Sequence, residues 1–260
     1  MVSLDPADPR FDGFRRLNEP RFRSSYEKTE GVFIAEGPTV VSHVISTAGS
    51  LVVALMADVR MADRVPPGLD VPVHLVDQAL ISAVVGFEFH RGMLALCRRP
   101  PMSTVAHMAS LDSLAILEGV NDHANLGAII RAAAGLGIGG LVLDPTSADP
   151  WYRRSVRVSM GAVVDLPMAR AVEWPDDLDL LTGGGLTLVA ATPEVSAVDV
   201  AHASGLARPA VLLGAEGPGL TAAVLAKATV RVRIPMQRAV DSLNVGQAAA
   251  ILFDRLLARP

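Results

Sequence analysis

The chain has 260 residues, half of them hydrophobic, a formal net charge of −4 and a single cysteine. That length supports one large core or two modest ones, and a lone thiol excludes a disulfide framework or a cysteine-based zinc site. The acidic balance excludes a protein that coats nucleic acid by net charge alone, so any such contact must come from local patches.

The N-terminus "MVSLDPADPRFDGFRR" carries charges where a signal peptide needs an apolar stretch, and the apolar runs are too short to span a bilayer. A soluble, cytoplasmic protein with no membrane association is the expectation. Arg15, Arg16, Arg21, Arg23 and Lys28 outnumber the acids among them, and Arg153, Arg154 and Arg157 form a second basic group. Both are candidates for phosphate contact. Cys97, inside "GMLALC", reads as a small buried hydrophobe.

Residues 32–99 alternate extended and helical patterns. "VFIAEG", "SLVVALMAD", "VPVHLVD" and "GMLALCRR" read as strands, with "PTVVSHVISTAG" and "DQALISAVVG" as helices. This is a small α/β unit covering residues 1–100. Residues 101–112, "PMSTVAHMASLD", read as a linker.

From residue 113 to the end a longer alternation begins. The strands are "SLAILEG", "GGLVLDP", "VVDLPMARA", "LTLVAAT", "PAVLLGAEG" and "TVRVRIP". The helices between them are "NLGAIIRAAAGLG", "YRRSVRVSMGA", "PDDLDLLTGG" and "LTAAVLAKA", with "SLNVGQAAAILFDRLL" closing the chain. Continuous Val/Leu strands separated by helices predict a parallel sheet covered on both faces. Such sheets bind ligands beyond the carboxyl ends of their strands.

Three of those strand ends carry polar or glycine-rich signals. "VNDHANLG" follows "LAILEG" and leads into a helix bearing Arg131, six residues after Asn125. "GAEGPGL" surrounds Glu216 with Gly214, Gly217 and Gly219, so backbone groups can grip a flat ligand; it lacks the Lys-Ser/Thr of a Walker loop. Asp241-Ser242-Leu243-Asn244 precedes the last helix, with Asp241 or Ser242 as the expected N-cap. "GLGIGG" at 135–140 is no dinucleotide fingerprint, because its glycines end a helix rather than open one. The six histidines show no zinc spacing, and no metal is expected.

Taken together, "NDHANLGAIIRAA", "LLGAEGPGL" and "IPMQRAVDSLNVGQAAAILFD" resemble the three motifs of the SpoU (TrmH-like) branch of the SPOUT RNA methyltransferases, and "VRVSMGAVVDLP" resembles a further family element. "EGVFIAEGPTVVSHVI" with "HRGMLALCRRP" resembles the L30e-like RNA-binding domain fused to many of these enzymes. The resemblance implies an α/β chain whose C-terminal parallel-sheet domain, residues 113–260, is a trefoil-knotted SPOUT methyltransferase domain. It implies a homodimer through that domain and S-adenosyl-L-methionine as cofactor. Leu213, Gly214, Glu216, Gly217, Ile234, Met236, Leu243 and Asn244 would hold the cofactor, and Asn125, Arg131, Glu216, Ser242 and Asn244 would form the catalytic neighbourhood. Arg15, Arg16, Arg21, Arg23 and Lys28 of the L30e-like domain would contact RNA. Two places depart from the family pattern: Arg238 where the family usually has Gly, and Gly246-Gln247 where it often has Ser-Val.

The implied reaction is methyl transfer to a ribose 2′-hydroxyl of structured RNA, ribosomal or transfer. Its difficulty is the weakly acidic hydroxyl. A guanidinium stays charged at ordinary pH, so Arg131 is expected to act as a cation rather than a base. Three alternatives compete: methylation of a base on the same fold, a catalytically silent RNA-binding assembly factor, and a Rossmann-type small-molecule enzyme, against which the missing fingerprint counts.

Overall fold

The computed structural model describes residues 5–203, 205–237 and 241–257. The chain divides into two compact units, one of Met1–Pro100 with Trp151–Val164, the other of Pro101–Pro150 with Asp165–Pro260.

The first unit contains α1 (Pro20–Thr29), β1 (Val32–Glu36), α2 (Pro38–Ala48), β2 (Val52–Asp58), β3 (Val73–Val76), α3 (Gln78–Val85) and β4 (Met93–Arg98). Its sheet runs β1-β4-β2-β3, antiparallel on both sides of β4 and parallel between β2 and β3. β1, β2 and β4 read as strands because each is an apolar run closed by a charged residue, and all five residues of β1 are buried. Asp77 starts α3 by accepting from the Leu80 N–H at 2.7 Å, and Gly86 ends it in the left-handed conformation. Phe11, Phe14, Ile34, Met56, Ile81 and Leu94 share one core.

The segment before β1, read from sequence only as a basic surface, is structured. A 3-10 helix over Pro9–Phe14 drives Phe11 and Phe14 into the core, and α1 follows. Arg23 is correspondingly not a surface cation: its side chain is 2% exposed. It pairs with Glu27 at 2.8 Å and donates to the Gly13 carbonyl at 3.0 Å. A phosphate cannot reach it, so Arg23 drops out of the RNA-contact set. Arg15 donates to the Asp8 carbonyl at 2.8 Å and Arg16 pairs with Glu19, while Arg21 and Lys28 are exposed.

The second unit adds α4 (Val105–Met108), β5 (Leu114–Glu118), α5 (His123–Leu136), β6 (Gly140–Leu143), β7 (Met168–Arg170), α7 (Leu178–Gly183), β8 (Thr187–Ala191), β9 (Val198–Asp199), β10 (Pro209–Gly214), α8 (Ala222–Lys227), β11 (Val230–Arg233) and α9 (Val245–Leu256). Between β6 and β7 the chain supplies α6 (Arg153–Val158), which packs on β1 and belongs to the first unit. The sheet order is β7-β6-β5-β10-β8-β11-β9, with every pairing parallel. The strands searched from sequence, β5, β10 and β11, lie within four consecutive places. Gly137 is the left-handed C-cap of α5, as the rejected fingerprint required.

Residues 101–112, expected as a linker, group with the second unit. Thr104 caps α4 by accepting from the His107 N–H at 3.2 Å, and Val105 and Met108 sit in the core with Leu181 and Leu186. Ser103, one of the residues that suggested a linker, bridges to Ala169 of β7 instead.

Cys97 lies fully buried in β4, and burial pushes its thiol up to about 12. The native chain is therefore expected to resist iodoacetamide at pH 8 and to be alkylated once unfolded in guanidinium; rapid native labelling contradicts this placement. Arg23→Ala is expected to lower stability by about 3 kcal/mol, since it removes the nearer of two arginines from a buried carboxylate and its bond to the Gly13 carbonyl; denaturant unfolding checks it, and a neutral result contradicts a structural role.

Candidate active site

The site forms where the chain leaves β5, β10 and β11. After β10 the chain turns back sharply on itself. A Cβ on Gly214 would collide with the backbone of Gly219 and Leu220, so only glycine fits there. Ala215 and Gly219 form a bridge, the Gly219 N–H donating to the Ala215 carbonyl at 3.0 Å. Gly217 makes the reversal at φ +90°, which disfavours any side chain. Glu216, Gly217 and Pro218 stand exposed at the tip, and Leu220 is buried below them.

A buried carboxylate fixes the far end of this loop. Glu118, the last residue of β5, is 7% exposed. One oxygen accepts from the Thr221 N–H at 2.8 Å; the other accepts from the Thr221 hydroxyl at 2.9 Å and the Trp174 indole N–H at 2.9 Å. Thr221 in turn caps α8. Sequence reasoning did not single out Glu118 or Trp174. The available signal was an acid closing an otherwise apolar strand, where an unpaired charge is costly.

The turn after β5 is held from the neighbouring strand. Asp144 follows β6 and accepts from the Gly119 N–H at 3.1 Å, the Ser147 N–H at 2.8 Å and the Thr146 hydroxyl at 2.5 Å. Burial alone raises the Asp144 carboxyl, but these hydrogen bonds outweigh it and hold the group below the ordinary carboxylate range. The Ser147 hydroxyl accepts from the Val120 N–H at 3.1 Å, so the approach to α5 is fixed at two successive residues. Asp122 then caps α5, accepting from Ala124 and Asn125.

Asn244 joins the three segments. Its side-chain oxygen accepts from the Gly246 N–H at 3.0 Å and the Gln247 N–H at 3.4 Å, making it the N-cap of α9. This corrects the expectation that Asp241 or Ser242 would be the cap: α9 starts at Val245, three residues beyond Ser242. The Asn244 amide nitrogen donates to Asn125 Oδ1 at 2.8 Å and Glu216 Oε1 at 2.6 Å. Behind it α9 packs on α5, where a Cβ on Gly246 would lie 2.9 Å from the Ala128 Cβ.

Beside this junction is a cavity of about 420 Å3. Leu213, Gly214, Glu216, Gly217, Ile234, Met236, Ser242, Leu243 and Asn244 all line it. Ala191, Thr192 and Pro193, at the end of β8, complete a wall that sequence reasoning missed; a single threonine is their one polar residue, and no glycine marks them. The described lining includes two carboxylates, Glu216 and Asp241, and no Lys or Arg. Asn125 reaches the site through Asn244 rather than by lining the cavity. Arg131, on α5, is exposed and outside the lining. Arg238 lies outside the described residues.

Among the described residues, no group of His, Cys, Asp and Glu could hold a metal ion, and no helix is long and apolar enough to cross a membrane.

Comparison with known proteins fits this geometry. Residues 112–254 match the model of the SpoU rRNA methylase family. An uncharacterized tRNA/rRNA methyltransferase of Mycobacterium bovis is 44% identical over 255 residues, 96% of this chain and 88% of the relative. The Bacillus subtilis 23S rRNA (guanosine(2553)-2'-O)-methyltransferase RlmP is 26% identical over 91% of this chain and 93% of its own length. The SpoU methyltransferase AviRb of Streptomyces viridochromogenes, solved with AdoMet, shares the fold at a TM-score of 0.81 and 22% identity, over 95% of this chain and 97% of that one. A family match across more than half the chain, and a near full-length relative at 44%, establish that the chain belongs to the SpoU rRNA methylase family.

Proposed function

We propose that the chain transfers a methyl group from S-adenosylmethionine to a ribose 2′-hydroxyl of structured RNA, ribosomal or transfer, and works in the cytoplasm as a homodimer through the second unit. The observation that carries this reading is the Asn244 amide tying Asn125 and Glu216 together at the mouth of the cavity. Membership of the SpoU family supports RNA methylation, and the 2'-O chemistry named for the RlmP relative favours ribose over base.

The cavity suits the methyl donor. Its volume lies in the range of small-ligand sites. Leu213, Ile234 and Leu243 offer apolar surface to an adenine ring, and the glycine-rich turn exposes backbone donors and acceptors. Two carboxylates and no described cation in the lining favour a positively charged sulfonium over a polyphosphate. When bound, the donor supplies an electrophilic methyl group whose leaving group is neutral, so the reaction requires no metal.

The chain's own residues deal with the acceptor. The ribose hydroxyl is a weak acid, and the gain comes from positioning it and stabilising negative charge on its oxygen. Arg131, with no ion-pair partner among the described residues, is the cation for the RNA phosphate or that oxygen; the proton leaves to phosphate or water. Asn125 and Asn244 hold the polar edge of the site, and Ser242 adds a hydroxyl at the cavity wall. The first unit, read as an L30e-like RNA-binding domain, holds the substrate by shape and through Arg15, Arg16, Arg21 and Lys28.

Incubating the purified chain with isotopically labelled donor and ribosomal or transfer RNA, then digesting to nucleosides, is expected to yield labelled 2′-O-methylnucleosides. Label on a base contradicts the ribose assignment, and RNA binding without label contradicts catalysis. Arg131→Gln is expected to lower the rate by roughly a hundredfold to a thousandfold, as for loss of one charge-stabilising donor. Arg131→Lys is expected to retain measurable transfer with an unchanged pH profile; loss of activity with intact RNA binding, or a shifted profile, contradicts the electrostatic role.

A further inference from the structure

Glu36 closes β1 of the first unit and is 3% exposed. Three arginines surround it. Arg91 Nε lies 2.9 Å from one carboxylate oxygen, and the Nη1 atoms of Arg153 and Arg157 lie 3.6 and 3.5 Å from the other. These last two distances are too long for good hydrogen bonds; that oxygen and Arg153 Nη1 have no hydrogen-bond partner among the described residues. One carboxylate therefore faces three permanent cations.

Closing this cluster as a structural ion pair needs one arginine. The other two leave a surplus of positive charge and of donors, since each guanidinium carries five N–H groups. The cluster also reaches the surface: the side chains of Arg91, Arg153 and Arg157 are 52%, 21% and 33% exposed. Arg153 Cζ lies 5.0 Å from the centre of the Phe87 ring, a cation–π contact that helps hold the guanidinium in place. Immediately after Glu36, Gly37 starts the eleven-residue helix α2 with no side-chain cap, which adds a positive helix end beside the cluster.

We infer that Arg91, Arg153 and Arg157, gathered around Glu36, form a binding site for a backbone phosphate of RNA on the first unit. The inference rests on the reading of the chain as an RNA methyltransferase and names a site of substrate contact for it. Glu36 acts as an anchor: it prevents mutual repulsion from dispersing the guanidiniums and leaves their outer donors free. The phosphate supplies the second anion that the cluster lacks.

The test is binding of the full chain to a fluorescein-labelled RNA hairpin, followed by anisotropy across a potassium chloride series. Arg91→Gln, at the most exposed of the three, is expected to fold normally and to reduce the slope of log K against log salt by about one. Its affinity is expected to fall roughly eightfold near 0.1 M salt, the effect of one lost phosphate contact. Arg64→Gln, an exposed site elsewhere in the same unit, serves as the unchanged control. Wild-type binding that Arg91→Gln leaves unaltered in slope and affinity overturns the site while leaving the RNA reading intact. A wild-type chain that fails to bind the hairpin at low salt overturns both.

Discussion

The second unit depends on one primary amide. Asn244 must accept hydrogen bonds to begin α9 and donate two to join α5 and the loop after β10. Only a side chain with a carbonyl oxygen and an NH2 group on one short stem can do both. Aspartate caps a helix as well but brings a negative charge against Glu216; serine offers a single donor. A sheet with every strand parallel collects three loops at one end, and the Asn244 amide fixes how they meet.

Buried carboxylates at strand ends recur as the organising device. Glu118 closes β5 and anchors the start of α8; Asp144 follows β6 and anchors the turn after β5; Glu36 closes β1 among three arginines. A carboxylate in such a place must be satisfied by donors converging from different segments, since unpaired burial costs several kcal/mol. It thereby specifies which loops meet. Asp144 and Glu118 are fully engaged within the second unit, whereas Glu36 is surrounded by more positive charge than it can neutralise.

The sequence made the strands legible because most are apolar runs between polar turns, and the parallel architecture followed from helices recurring between them. The three candidate segments were visible for the same reason: polar and glycine residues are conspicuous where a buried strand stops. Other features were hidden by tertiary effects. Asp241, Ser242 and Asn244 are all good caps locally, and only the partners on α5 and β10 select Asn244. Arg23 looked like a surface charge because its partner Glu27, one turn on, shares its buried face. Residues 101–112 looked like a linker, yet Val105 and Met108 belong to the core. Helix α6 reads as one more crossover helix, and nothing in its spacing says that it packs on β1.

The most direct measurement is calorimetric titration of S-adenosylmethionine into the wild-type chain and into Asn244→Asp. The substitution keeps the helix cap, removes the donor that joins Asn125 to Glu216, and sets a second negative charge against Glu216. Saturable binding by the wild type, with a loss of roughly tenfold or more in a variant that still folds, is the predicted result, in line with one charge-assisted hydrogen bond. Equal affinity in the two chains contradicts the account.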